Sequence, residues 1–195
     1  MNFKANILIV FVVLGFLVLP GTGQAVEFQI AGGVTSITPP DDPDFEYTST
    51  SGAMPMIALG FELGNMNFLY LQYDSFRYQL EAASKVSGVV VGEFEITDTA
   101  YSVVYVPRFE RFDLRFGYGI VNESTEVTKP AGVTIDDASG SQLFAGLDFR
   151  FNEMFGIGVE MRSVSVDTTW NLPDGSTLET DNNHDVTIVR GVINF

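Results

Sequence analysis

The chain contains no cysteine, one histidine and one tryptophan, and only 10 lysines and arginines against 25 acids in 195 residues. Without cysteine no disulfide can hold it together, and a zinc centre built from a Cys/His cluster is excluded. A formal charge of -15 gives it no electrostatic attraction for nucleic acid or anionic lipid headgroups. The acids never fall into the D-x-[DN]-x-[DN]-G run of a calcium loop, and no phosphate-cradling glycine motif follows a strand. Beyond residue 25 there is also no capped stretch of helical period.

The first 25 residues, "MNFKANILIVFVVLGFLVLPGTGQA", have a basic start at Lys4 and an apolar run over 7–19. Pro20-Gly21 follow, with small residues at Gly23 and Ala25. The apolar run is shorter than the ~20 residues a spanning helix needs, and the ending suits signal-peptidase cleavage. The expectation is a signal peptide over 1–25 and a single exported domain over 26–195. Cleavage would remove one cation and no acid, moving the charge from -15 to -16. An exported domain without disulfides needs a large core or a membrane to hold it.

What the rest of the chain contains is alternation with period two, repeated eight times. "VEFQIAGGV" sets Val26, Phe28 and Ile30 against Glu27, Gln29 and Ala31. "DLRFGYGIV" sets Leu114, Phe116, Tyr118 and Ile120 against Asp113, Arg115, Gly117 and Gly119, and "QLFAGLDFRF", "FGIGVEMRS" and the final "VTIVRGVINF" repeat the scheme. "PMIALGFEL", "NFLYLQYDSF" and "DTAYSVVYV" complete the eight. The connections alternate too. Long ones are expected over 37–52, 81–95, 122–140 and 167–183, and short ones at 64–65, 108–111 and 152–153. A meander with tight turns at one end and long loops at the other is the pattern of a transmembrane β-barrel.

The polar face carries Glu27, Glu62, Asp98, Arg115, Asp148, Arg150, Glu160, Arg162 and Arg190, together with many glycines that suit a narrow interior. Aromatics gather beside the short turns: Phe61, Tyr105, Phe109, Phe112, Phe151, Phe155 and Phe195. Rings at that level form the interfacial girdle of a membrane barrel. The competing architecture is a lipocalin, a soluble barrel with its apolar face inward around a greasy ligand. Against it, no Gly-x-Trp opens the domain and no helix follows the last strand. The sequence therefore predicts an all-β, eight-stranded, antiparallel up-and-down transmembrane barrel.

The terminal "GVINF", with Gly191, Ile193 and Phe195 on the lipid face, resembles the assembly signal of bacterial outer-membrane barrels. The usual pattern places its glycine one residue earlier. The chain as a whole resembles the small eight-stranded outer-membrane proteins of the opacity and adhesion type, and "FGIGVEMRSV" is similar to that family as well. The resemblance implies a place in the bacterial outer membrane, insertion by the outer-membrane assembly machinery, and both termini in the periplasm. Its partners would be outer-membrane lipids and lipopolysaccharide.

An eight-stranded barrel can fill its lumen with its own side chains. A charge network of Glu62, Arg115, Glu160, Arg162 and Arg190 is expected to do so, because a buried charge needs a partner. A narrow ion path along the same residues is the alternative. The acids of the long loops are Asp41, Asp42, Asp44 and Glu46, then Asp136 and Asp137, then Glu179, Asp181 and Asp185. They read as a solvated surface, with bridging of divalent cations to lipopolysaccharide as the other option. Phe45, Tyr47 and Trp170 among them hint at a surface for an extracellular ligand. His184, near Asp181 and Asp185, could belong to a lipid A-modifying acyl-transfer site. Yet Val186 stands where a deacylase would carry serine, and His184 reads as a polar loop residue. No cofactor is expected. The reading is a non-enzymatic barrel for envelope integrity or surface attachment, with channel, acyl-transfer enzyme and soluble carrier as alternatives.

Overall fold

In a computed structural model, which describes residues 25–39, 42–136 and 138–195, the chain is all-β. The proposed signal peptide, apart from Ala25, lies outside the described residues, as do Asp41 and Asp137. Ten strands follow one another: β1 Val26–Thr38, β2 Phe45–Ser49, β3 Gly52–Gly64, β4 Asn67–Ser84, β5 Val90–Phe109, β6 Phe112–Lys129, β7 Thr134–Ile135, β8 Ala138–Arg150, β9 Phe155–Asn171 and β10 Thr177–Asn194. Eight of them, all but β2 and β7, pair antiparallel in sequence order. The ring closes where β10 meets β1, from Gln29 opposite Asn194 to Thr38 opposite Asp185. Phe195 completes that seam: its amide donates to the Phe28 carbonyl at 2.8 Å, and the Phe28 amide donates back at 3.1 Å. The two rings lie 6.2 Å apart. Closure leaves no unpaired edge in the spanning part, which a barrel in hydrocarbon requires.

Alternation decides the two faces. The outward positions of residues 26–34 on β1, 112–120 on β6 and 143–151 around β8 are apolar or glycine and largely exposed, while the polar positions between them are largely buried. Such runs match the ~9–11 residues of a tilted membrane strand. This is a membrane barrel with its polar face inside, the reverse of a lipocalin. Six of the seven aromatics beside the short turns are exposed outward; Phe61 is covered. The far edge of the belt carries outward tyrosines, Tyr73, Tyr101 and Tyr118, whose hydroxyls suit the second interface.

The long connections are not what the sequence suggests. β5 has 20 residues and β4, β6 and β10 have 18 each, so a strand reaches ~66 Å at ~3.3 Å per residue. That far exceeds an apolar band of ~25 Å. Most of the expected loops at 81–95, 122–140 and 167–183 are strand, and the ladders continue beyond the belt through polar, β-branched residues such as Thr97, Thr125 and Thr168. Threonine favours strands without apolar alternation, so these stretches carry no amphipathic signal. β1, β3 and β8, with 13 residues each, stop earlier. β2 extends the wall by pairing with β4, from Phe45 opposite Ser84 to Ser49 opposite Leu80, and β7 pairs with Trp170 and Asn171 of β9. The barrel therefore continues outside the membrane as a walled extension.

Candidate functional site

Two regions of the interior carry chemistry. The first lies within the membrane-spanning part. Arg162 on β9 is clamped by two acids: it donates to Asp74 on β4 at 2.6 and 3.1 Å, and its Nε donates to Glu160 at 2.7 Å. Arg190 on β10 donates to the other Glu160 oxygen at 2.8 Å and to Asp148 on β8 at 2.8 and 3.1 Å. Arg115 on β6 donates to Gln29 at 3.0 Å and Gln72 at 2.5 Å, with Glu160 at 3.6 Å and Asp148 at 3.7 Å. Three guanidiniums thus face three carboxylates across the lumen. All six side chains are at most 3% exposed. Glu160 is the hub, touching all three arginines.

Inward glycines make room for the network. A Cβ on Gly117 would stand 2.0 Å from the Phe144 ring, and one on Gly60 2.5 Å from the Tyr70 ring. Each ring therefore lies flat over a neighbouring strand's backbone. Arg162 sits 4.9 Å from the Phe144 centroid and Arg115 5.7 Å from that of Tyr70, within cation–π range.

Of the sequence-predicted network, Glu160, Arg115, Arg162 and Arg190 come together. Glu62 does not. It is only half-buried near the short turns, and its Oε2 accepts from the Ala25 amide at 3.3 Å. Its alternation parity is right, but its depth is wrong: it lies two residues from the β3 end at Gly64. Asp74 takes part instead, inward by the same parity and adjacent to Gln72, which it accepts from at 2.7 Å. A second cluster lies below, beside the short turns. Arg108 donates to Glu27 at 2.8 and 3.1 Å and to Asp113 at 3.1 Å, and packs 4.2 Å from the Phe68 centroid. The sequence places Arg108 in a short turn, whereas β5 runs on to Phe109. Of the assembly-signal residues, Gly191 pairs with Gly32, Ile193 with Ile30, and Phe195 with Phe28.

The second region is the extension. His184 is not a loop residue: it lies in β10, 5% exposed, with its Nε2 3.6 Å from Asp98 of β5. Asp181 and Asp185 point away on the solvent face. Neither oxygen of Asp98 and neither nitrogen of His184 has a hydrogen-bond partner. Glu123 of β6, opposite Asp98 in register, accepts from Thr125 at 3.1 Å and from Asn182 at 3.2 and 3.4 Å. Burial raises the Asp98 carboxyl above the usual carboxylate range, against the pull of His184. Burial, reinforced by Asp98, pushes Glu123 up to about 7, while His184, Thr125 and Asn182 pull it down. Tyr78 of β4 faces both acids, and burial and their charge raise it. Among the described residues no group of three or more His, Cys, Asp or Glu side chains is placed to hold a metal ion.

A folded-state value above the unfolded one means that the folded form binds its proton more tightly. The stability tied to Glu123 and Asp98 is then complete below their ordinary range and falls as pH rises through the raised values. The extension is expected to melt at a higher temperature at pH 5 than at pH 8, followed by the fluorescence of Trp170. Glu123→Gln should flatten that difference. A wild-type midpoint that is higher at pH 8 would contradict the assignment.

Above these acids opens a cavity of about 460 Å³. Its wall includes Phe45 and Tyr47 of β2, Phe94 of β5 and Trp170 of β9. The Trp170 indole donates to Thr180 at 2.8 Å and meets the Phe94 ring edge-on at 5.5 Å. The sequence leaves Trp170 in a loop; its pairing with Leu178 makes it part of the wall.

No family model and no curated protein matches the chain in sequence. Among solved structures, the fold is similar to the outer membrane protein OprG from Pseudomonas aeruginosa, with a TM-score of 0.60 at 13% identity over 88% of this chain and 97% of that one. It is also similar to the outer membrane protein AlkL, solved by solid-state NMR in DMPC bilayers, at TM-score 0.56 and 12% identity over 87% and 90%. Neisserial surface protein A matches at 0.52 and 13% over 88% and 97%. At these identities the likeness establishes the fold, that of small outer-membrane β-barrels.

Proposed function

We propose that this chain is an integral, non-enzymatic protein of the bacterial outer membrane whose lumen is closed, and whose extension mediates surface attachment or binding. The observation that carries the closure is the six-membered charge network. Arg115, Arg162 and Arg190 are fully compensated by Asp74, Asp148 and Glu160, and each is held by more than one partner. An ion passing through would have to break contacts between buried charges, each of which is costly to leave unpaired. Just outside, Met54, Phe76, Ile96, Val164 and Ile188 fill the lumen with apolar side chains. The apolar belt supports lipid and lipopolysaccharide as its surroundings, and the Phe28–Phe195 seam is where the assembly machinery would complete closure.

Reconstitution into a planar bilayer tests the closed lumen. Wild-type protein is expected to give no discrete conductance steps, and steady single-channel openings would replace the plug with a pore. Expression should leave the mass of lipid A unchanged; an altered mass would point to acyl transfer instead.

A further inference from the structure

The cavity at the outer mouth combines an apolar, aromatic body with one sign of charge. Besides its four rings it is lined by Leu80, Val91, Ile96 and Ile135 and by the acids Asp42 and Glu123, while Asp181, also at its border, is exposed on the solvent face. No lysine or arginine stands among its described lining residues. At about 460 Å³ it falls in the ~300–1,000 Å³ range of small-molecule sites.

Two polar features inside it lack what they need. Glu123 is 2% exposed, and its carboxylate has only the neutral donors Thr125 and Asn182. The membrane network satisfies every carboxylate with arginine; here none is supplied. The cation-forming side chain that acts on Glu123, His184, lies closest to Asp98 instead. Thr168, 4% exposed and lining the cavity, has a hydroxyl with no partner. A buried carboxylate without a counter-charge is costly, and a ligand that brings the charge removes that cost. Rings around the same space favour a cation with a soft, weakly hydrated surface.

We infer that this cavity binds a small organic cation with an apolar body, an aromatic or alkyl ammonium, its charge against Glu123 and its body among Phe45, Tyr47, Phe94 and Trp170. An anion would meet the buried Glu123 carboxylate, with Asp42 also in the lining. A bare metal ion would find the wall mostly apolar. A neutral apolar molecule would fill the space and leave Glu123 uncompensated. The inference rests on the proposed outward orientation of the extension but not on a closed lumen, so conductance could overturn the plug and leave this site standing.

Trp170, the only tryptophan in the chain, reports on the cavity directly. Full-length protein in a nonionic maltoside detergent would be titrated with phenyltrimethylammonium and with its neutral isostere tert-butylbenzene. The cation is expected to change Trp170 fluorescence saturably and to bind at least tenfold tighter than the isostere. Glu123→Gln should abolish that preference, leaving both probes at the weaker affinity, and Phe94→Ala should weaken the cation about tenfold. Compact mobility of unheated samples in SDS would show that each variant is still a closed barrel. Equal binding of the two probes, an unchanged preference in Glu123→Gln, or no saturable change would each overturn the inference.

Discussion

Glu160→Ala is expected to destabilise the barrel by about 3–5 kcal/mol, the cost of removing one partner from a buried charge group. Glu160 is the one acid in contact with all three lumen arginines. Its loss leaves three buried guanidiniums facing Asp74 and Asp148 alone. Arg190 keeps Asp148 and Arg162 keeps Asp74, but Arg115, whose nearest acids are already at 3.6 and 3.7 Å, is left with its two glutamines and the more distant Asp148. Glu160→Gln should be milder, because the amide oxygen still accepts from one arginine. Glu62→Ala, remote from the network, should change stability by less than about 0.5 kcal/mol. Reversible unfolding in urea, with the protein in lipid vesicles, measures all three. A Glu160→Ala protein within 1 kcal/mol of wild type (on the order of a surface change) would mean that lumen water already solvates the arginines, and the closed lumen would fall with it.

Leu147→Arg should cost about 2–4 kcal/mol, the penalty for a cation on the lipid face near mid-depth. Leu147 is exposed, pairing with Leu114 of β6 and Val159 of β9, themselves outward and apolar. Its neighbour Asp148 points the other way and is buried. The same substitution at Ser141, outward on the same strand but at the outer edge of the belt, where it pairs with Ile120 and Ser165, should cost no more than about 1 kcal/mol. Depth dependence is the signature sought, because arginine on an exposed face in water changes stability little wherever it stands. Equal, small effects at both positions would remove the lipid from that face.

The faces of this barrel are a local property, and the sequence alone carries them. Side chains of a strand alternate whatever the strand pairs with, so Leu147 and Asp148 announce their opposite directions without reference to any other part of the chain. The eight-strand meander, the girdle beside the short turns and the inward glycines follow from the same period. His184 could have been placed by it too: counting back by twos from the inward Arg190 reaches position 184, and only the polarity of "TDNNHD" disguised the strand. Depth and partnership are not local. Which inward charges meet is set by the register of every ladder around the ring, which brings Asp74, from the middle of one strand, beside Arg162, 88 positions away, and leaves Glu62 near the turns. The wall outside the membrane was hidden for a related reason. Its strands are bordered by water rather than lipid, so nothing demands an apolar outer face, and pairing with neighbours alone keeps them extended. Only that pairing, with β2 and β7 filling the places where β3 and β8 stop, gathers four aromatic rings and an uncompensated glutamate around one cavity.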